Sequence, residues 1–212
     1  MKNVQDGFAL AHLSALRNKR ILEAGGGNSR VLPRLDASCE LWNADKFEGD
    51  GNGPIAMIEN PRIKVVRSFV GDFCPDLPDD YFDAIFSVSV VEHIPGAALG
   101  AFIDDSIRIL KTGGVAIHAV DLAIGDASMQ DRPQFRNQNA RIQMYREEIE
   151  RRHDRVGWIE PPALSLPAIA SAAYAANSNN TLYRWAKKFP ERRAHREISQ
   201  SVSLKWGWVK TA

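Results

Sequence analysis

A glycine-rich turn directly after a short apolar run constrains this chain more than any other feature. The run Ile21–Ser29 places two branched apolar residues before the carboxylate Glu23, and the glycines Gly25, Gly26 and Gly27 follow it. This order predicts a buried parallel strand that turns sharply into a helix and leaves room for a ligand beside the backbone. A flexible loop can also be rich in glycine, so the features that follow at fixed distances must decide.

Four further apolar runs predict a sheet. Tyr81–Val91 is almost continuously apolar, which indicates burial on both faces, as in a parallel sheet covered by helices. The five predicted strands are Lys19–Glu23, Glu40–Ala44, Ile63–Phe69, Tyr81–Val91 and Val115–Val120. Helical patterns cover Phe8–Arg17, Asn28–Leu35 (shortened by Pro33) and Gly96–Lys111. Strands that alternate with helices predict a doubly wound α/β fold with a mostly parallel sheet.

The pattern changes after Asp121. Asp131–Asn139 is predicted to be a loop, Asn139–Arg152 a helix, Ala163–Ala176 a small-residue apolar helix, and Ser199–Val209 a C-terminal antiparallel edge strand. We therefore expect one domain over 1–212, with a helical insertion before the last strand. Residues 123–198 would form the acceptor pocket or a lid, and residues 199–209 would close the sheet.

Composition excludes several classes of function. The net charge of +1 gives no reason to expect binding to nucleic acid. Two cysteines do not make a disulfide framework, and no apolar run approaches the ~20 residues that span a bilayer. These features predict a cytoplasmic protein and leave a homo-oligomer open. The Ala163–Ala176 segment could alternatively touch a membrane surface.

Three acidic residues end successive predicted strands. Glu23 precedes the glycines, where it would repel a pyrophosphate, and no Lys-Ser/Thr pair of a phosphate-binding loop follows. A carboxylate there suits a ligand that carries an ammonium and a sulfonium. Asp45 can accept both hydroxyls of a ribose, and Asp72, beside Phe73, can accept from an adenine amino group.

In combination, these segments resemble the class I S-adenosylmethionine-dependent methyltransferases over roughly residues 7 to 122. Ile21–Ser29 resembles the first family motif, with Ser29 in place of the last glycine, and Ile109–Gly114 resembles the family's L-K-P-G-G. Further matches are Asp45, the triplet Gly71-Asp72-Phe73 and the block from Leu77 to Ile94. The resemblance implies a Rossmann-like fold, S-adenosyl-L-methionine as cofactor, and cofactor contacts from Glu23, Gly25, Gly26, Gly27, Asp45, Lys46, Gly71, Asp72, Phe73, Ser87, Val88 and Ser89.

The implied reaction is an in-line displacement at the sulfonium methyl, in which positioning supplies much of the catalysis. No metal is required, and no His or Cys residues are clustered at metal-ligand spacing. An aliphatic hydroxyl acceptor would need a base. His118, near the exit of the fifth predicted strand and with Asp121 to orient it, is one candidate, and His93, after the fourth strand, is the other.

The acceptor is expected to be a small molecule, either anionic or a carbohydrate. Arg132 and Arg136, on the predicted loop, could bind a phosphate or carboxylate, as could the basic segment 184–196, although such a run is commonly a solvated helix face. We expect O-methylation of a sugar, glycan precursor or similar metabolite. N-methylation and a cofactor-binding module without catalysis remain open, and a nicotinamide-dependent dehydrogenase is disfavoured by Glu23.

Overall fold

A computed structural model of the chain describes residues 2–49, 54–57, 59–125, 133–161 and 199–212. Within these residues, seven strands form one sheet in the order β3-β2-β1-β4-β5-β7-β6. The strands are β1 (Arg20–Ala24), β2 (Glu40–Ala44), β3 (Ile63–Val66), β4 (Phe82–Val88), β5 (Leu110–Gly125), β6 (Val156–Glu160) and β7 (Ser199–Lys210). The predicted doubly wound α/β fold is confirmed.

Strands β3, β2, β1, β4 and β5 are parallel, so their carboxyl ends meet at one edge of the sheet. This edge is where ligands gather in open α/β sheets. Val88, the last residue of β4, pairs with Ala119, and β5 continues to Gly125 beyond this pair. The carboxyl-terminal part of β5 therefore projects past the parallel sheet, paired along its length with β7.

The antiparallel end of the sheet differs from the expectation. β7 runs antiparallel to β5, as predicted, but it is not the edge strand, because β6 pairs with its other side. The sequence Val156–Glu160 contains only five residues and has one buried position, Val156. Such a short, largely solvated strand has no strong apolar period, which is why it was not predicted.

Three α-helices are described: α1 (Lys2–Leu13), α2 (Gly96–Ile109) and α3 (Pro133–Glu150). The prediction of a loop over Asp131–Asn139 is wrong from Pro133 onward, because proline is tolerated in the first turn of a helix and begins α3. The predicted helix Asn28–Leu35 is also wrong. Only a 3-10 turn, Leu32–Arg34, forms there, because Pro33 lacks the N–H that a longer helix needs.

Two apolar layers cover the sheet. One face packs against α2 and α3 and includes Phe82 and Ile85, and the opposite face packs against α1 and includes Ala84 and Phe86. β4 is therefore buried on both faces, as its continuous apolarity predicts. Both layers hold the strands rigidly and so fix the positions of the residues at their carboxyl ends.

Some predictions concern residues outside the described ranges. These are Arg132, the helix Ala163–Ala176 and the basic segment 184–196. Among the helices of the described residues, none has the length and apolarity that crossing a membrane requires.

Candidate active site

The glycine-rich turn is held by hydrogen bonds from the neighbouring strand β2. The backbone N–H of Gly25 donates to the carbonyl oxygen of Ala44 at 2.8 Å. Asn43 fixes the next two residues: its Oδ1 accepts from the N–H of Gly26 at 3.2 Å, and its Nδ2 donates to the carbonyl oxygen of Gly27 at 2.7 Å. The turn is therefore an ordered part of the sheet edge.

The middle glycine is required by space. A Cβ atom at Gly26 would lie 2.6 Å from Asn43 Oδ1 and 2.7 Å from Glu23 Cδ, both closer than real Cβ contacts. The two outer glycines have positive φ angles, 65° at Gly25 and 51° at Gly27, which side-chain-bearing residues rarely adopt. The glycines therefore let the turn pack closely against Asn43 and Glu23 and follow a backbone path that other residues rarely adopt.

Glu23 is a buried carboxyl group at the base of this turn. Its residue is only 3% exposed, and its Oε2 atom has no hydrogen-bond partner. Burial raises the pKa of Glu23 to about 8, although a hydrogen bond to Ser29 and the charge of Arg30 act in the opposite direction. An unpartnered buried oxygen is costly, so this site is suited to a ligand that brings a hydrogen-bond donor or a positive charge.

The acids that follow β2 and β3 lie at the same edge. Asp45 Oδ2 accepts from the N–H of Gly27 at 2.8 Å, and Asp45 Oδ1 accepts from the N–H of Phe47 at 2.7 Å. Lys46, the next residue, forms an ion pair with Asp72 Oδ2 at 2.8 Å. A carboxylate has about four acceptor positions, so Asp45 retains capacity for ribose hydroxyls after binding these two amides.

The triplet Gly71-Asp72-Phe73 is anchored by helix α2. The buried Asp105 Oδ2 accepts from the N–H of Gly71 at 2.6 Å and from the N–H of Phe73 at 3.3 Å. Asp72 itself remains exposed, and the adjacent Lys46 lowers its pKa. The side chain of Phe73 is 50% exposed, which leaves an apolar ring available at this edge.

His118 does not lie near a strand exit, and that expectation is wrong. It occupies the middle of β5, is fully buried, and has a pKa that burial lowers to about 3. Its Nδ1 is 2.8 Å from Ser87 Oγ and its Nε2 is 2.9 Å from Tyr145 Oη. A neutral histidine with both nitrogens engaged in the core has no nitrogen left for an acceptor.

The buried position of His118 also affects the predictions for Asp121 and Ser87. Asp121 does not orient it, because its Oδ1 accepts from Nε2 of Gln5 in α1, at 2.9 Å, on the other face of the sheet. Ser87, expected to contact the cofactor, is only 1% exposed, and its hydroxyl faces His118. Val88, the last residue of β4, is partly exposed.

Residues that follow β4, together with Asp121 on the adjacent part of β5, form a second polar group. Ser89 donates its hydroxyl to Gln5 Oε1 at 2.9 Å, so the fully buried Gln5 links Ser89 to Asp121. The 3-10 turn Val91–His93 follows, and Glu92 Oε1 accepts from the N–H of Asp121 at 3.0 Å. His93, at the end of this turn, is exposed, unlike His118.

Several residues of this edge were missed by sequence reasoning. They are Gln5, Asn43, Asp105 and Arg141. Asn43 carried a signal, because a polar residue at an inner position of an otherwise apolar strand must find a buried partner. The remainder lie on helices distant in sequence, so their placement depends on the tertiary fold.

Arg136 lies on α3, not on a loop, and Arg141 lies further along the same helix. Arg141 donates from Nη1 to the carbonyl oxygen of Glu92 at 2.8 Å. In the described part of the chain, no three His, Cys, Asp or Glu side chains are grouped as metal ligands.

Comparison with known proteins bears on this arrangement. A family model described as "Methyltransferase domain" matches residues 4–158, which is most of the chain. No curated protein matches the sequence.

Solved structures share the fold at low identity. A Haemonchus contortus phosphoethanolamine N-methyltransferase 2, in complex with phosphomonomethylethanolamine and S-adenosylhomocysteine, superposes with a TM-score of 0.58 at 13% identity, over 99% of this chain and 53% of that one. The chain therefore spans about half the length of that protein.

Two other solved structures match over more of their own length. The cyclopropane synthase MmaA2 from Mycobacterium tuberculosis has a TM-score of 0.56 at 13% identity, over 98% of this chain and 84% of that one. A geranyl diphosphate C-methyltransferase from Streptomyces coelicolor A3(2) also has a TM-score of 0.56, at 12% identity, over 98% and 79%. At these identities the likeness concerns the fold.

Proposed function

The chain belongs to the methyltransferase domain family, whose members use S-adenosylmethionine, and we propose that it methylates a hydroxyl group of a small molecule. The acceptor in this proposal is a sugar, a glycan precursor or a similar metabolite. Binding of the cofactor is supported by the buried Glu23 carboxyl group, whose Oε2 atom has no hydrogen-bond partner beside the glycine turn.

The residues of the turn fit S-adenosylmethionine. Gly26 lets the turn pack directly against Asn43 and Glu23, where a Cβ atom would clash, and so keeps the Glu23 carboxyl group beside the turn. Glu23 would face the positively charged end of the cofactor, Asp45 the ribose hydroxyls, and Asp72 with Phe73 the adenine. When bound, S-adenosylmethionine supplies an electrophilic methyl group on its sulfonium.

Positioning of the acceptor would fall to the residues that follow β4 and to the adjacent part of β5. This region lies next to the glycine turn, because a Cβ atom at Gly25 would be 2.8 Å from the side chain of Val90. Ser89 and Asp121 are held there by Gln5, and they would form a rigid polar wall against which an acceptor is oriented.

We assign the base to His93. It follows β4 by five residues, is exposed, and belongs to the short turn that also provides Glu92. A neutral imidazole nitrogen can accept the proton of a hydroxyl, which is the role of a general base. His93 would take this proton as the oxygen attacks the methyl carbon.

Transfer of radiolabel from the cofactor to a pool of hydroxyl- and amine-bearing metabolites tests the function. A labelled hydroxyl product, with the rate lost in His93→Gln and retained in the surface control His153→Gln, is expected. A labelled amine whose formation is unaffected by His93→Gln would replace O-transfer with N-transfer. Cofactor binding without any labelled product would mean a non-catalytic binding module.

A further inference from the structure

Arg141 differs from the arginines that follow it on the same helix and in the turn beyond. Arg146, Arg151, Arg152 and Arg155 each form an ion pair with an aspartate or glutamate, at distances up to 3.5 Å. In the described part of the chain, Arg141 has no carboxylate partner. Arg141 donates from Nη1 to the backbone carbonyl oxygen of Glu92, at 2.8 Å.

The position of Arg141 is partly buried, which raises the cost of leaving its charge without a partner. A guanidinium carries five N–H groups in a planar fork, and the bond to Glu92 uses only one of its terminal nitrogens. The bond fixes the direction of the fork, and within the described residues nothing else accepts from its other N–H groups. Such a preorganised fork binds planar and tetrahedral oxyanions through paired hydrogen bonds.

Arg141 also lies beside the proposed acceptor site. Glu92, whose carbonyl oxygen it contacts, directly precedes His93 and accepts from the N–H of Asp121 with its side chain. Helix α3 thus brings a cation to the end of β4, a few residues from Val90 and its contact with Gly25.

From these contacts we infer that Arg141 anchors an oxyanion of the acceptor, a phosphate ester or a carboxylate, while His93 meets the atom that is methylated. This inference rests on the proposed function and narrows its substrate class to anionic acceptors. Arg141 would act by holding the acceptor in place, so its loss would raise the acceptor KM more than it lowers kcat.

Thermal unfolding with small anions tests the inference before any acceptor is identified. The protein, saturated with S-adenosylhomocysteine, is titrated with inorganic phosphate and separately with acetate, at constant ionic strength. We expect one of these anions to raise the Tm of the wild type and of the control Arg146→Gln, and this shift to be lost in Arg141→Gln. A Tm shift with phosphate alone would indicate that the acceptor is a phosphate ester. A Tm shift with acetate would indicate that it is a carboxylate.

Modification by phenylglyoxal provides a second readout that needs no variant. Peptide mapping should show that the effective anion slows modification of Arg141 and leaves the rate at Arg146 unchanged. The inference would be overturned if the anions shifted the Tm of Arg141→Gln and of the wild type equally. It would also be overturned if the anion did not slow the modification of Arg141 by phenylglyoxal. If S-adenosylhomocysteine still binds in that case, the proposed function stands; absent binding would reject both.

Discussion

Asp45 Oδ2 accepts the backbone N–H of Gly27 at 2.8 Å, which joins the acid at the end of β2 to the glycine turn at the end of β1. The next residue, Lys46, pairs with Asp72 after β3. The acids after β2 and β3 therefore lie at the same edge as the glycine turn, and Asp45 is bonded to the turn directly.

Replacing Asp45 by alanine should weaken cofactor binding by ~1–3 kcal/mol, because ribose hydroxyls would lose their acceptor and the turn would lose its tether. This corresponds to about a 5- to 150-fold increase in the Kd of S-adenosylhomocysteine, measured by calorimetry. Asp36→Ala, a change at another acid that bonds Ser38 and Arg17, should leave the Kd unchanged. An unaltered Kd in Asp45→Ala would mean that β2 contributes no ribose contact.

Glu23 should make the protein less stable as the pH rises. Its pKa is about 8 in the folded chain and near 4.5 when unfolded, so between these values the folded state holds a proton that the unfolded state has released. From pH 6.5 to 8 the free energy of unfolding should fall by about 2 kcal/mol in the wild type relative to Glu23→Gln. Urea unfolding at both pH values measures this difference.

The chosen pH range excludes the opposing contribution of His118. The pKa of His118 is about 3 when folded, against 6.5 for the unperturbed group, so it adds stability as the pH rises only up to about 6.5. Above this pH, the free energy of unfolding could instead change equally with pH in the wild type and in Glu23→Gln. That result would show that Glu23 is ionised in the free protein.

Gly26→Ala should abolish cofactor binding, because the new Cβ would lie 2.6 Å from Asn43 and 2.7 Å from Glu23. Gly7→Ala is the matched control: it adds the same methyl group to α1, where nothing lies within 4 Å of the new atom. The control should bind normally and gain up to about 1 kcal/mol of stability from its higher helix propensity. Normal cofactor binding by Gly26→Ala would show that the turn can shift to accommodate the new methyl group without harm to the site.

Tyr145→Phe should cost about 1–3 kcal/mol of stability with little effect on cofactor affinity. The phenolic oxygen is 2.9 Å from His118 Nε2 and accepts from Trp208 Nε1 at 2.8 Å. Its removal therefore leaves these two buried nitrogens without this hydrogen-bond partner. Tyr81→Phe removes an exposed hydroxyl bonded to Glu40 and should change stability by no more than about 0.5 kcal/mol. Chemical denaturation of both variants measures the contrast; equal losses would contradict it.

The parallel part of the fold was predictable because its signals are local. The strand Glu40–Ala44 has the predicted bounds, and the glycine turn follows β1 as expected. Propensity also explains an error: Pro33 was expected to shorten a helix after the turn, and it leaves only a single 3-10 turn.

The role of His118 was not predictable from its neighbours. A polar residue in an apolar strand is compatible with a site at the strand exit or with a buried network. The choice depends on Tyr145 and Trp208, which reach it from α3 and β7. Gln5 and Arg141 were missed for the same reason, since their partners Asp121 and Glu92 lie far away in sequence.

Calorimetric titration of S-adenosylhomocysteine into the wild-type chain and Glu23→Ala tests the central claim most directly. The account predicts saturable binding to the wild type with one ligand per chain, and a marked loss of affinity in Glu23→Ala. Absence of heat with the wild type, or equal affinity in the two proteins, would contradict the claim that this buried carboxyl group and its glycine turn form the cofactor site.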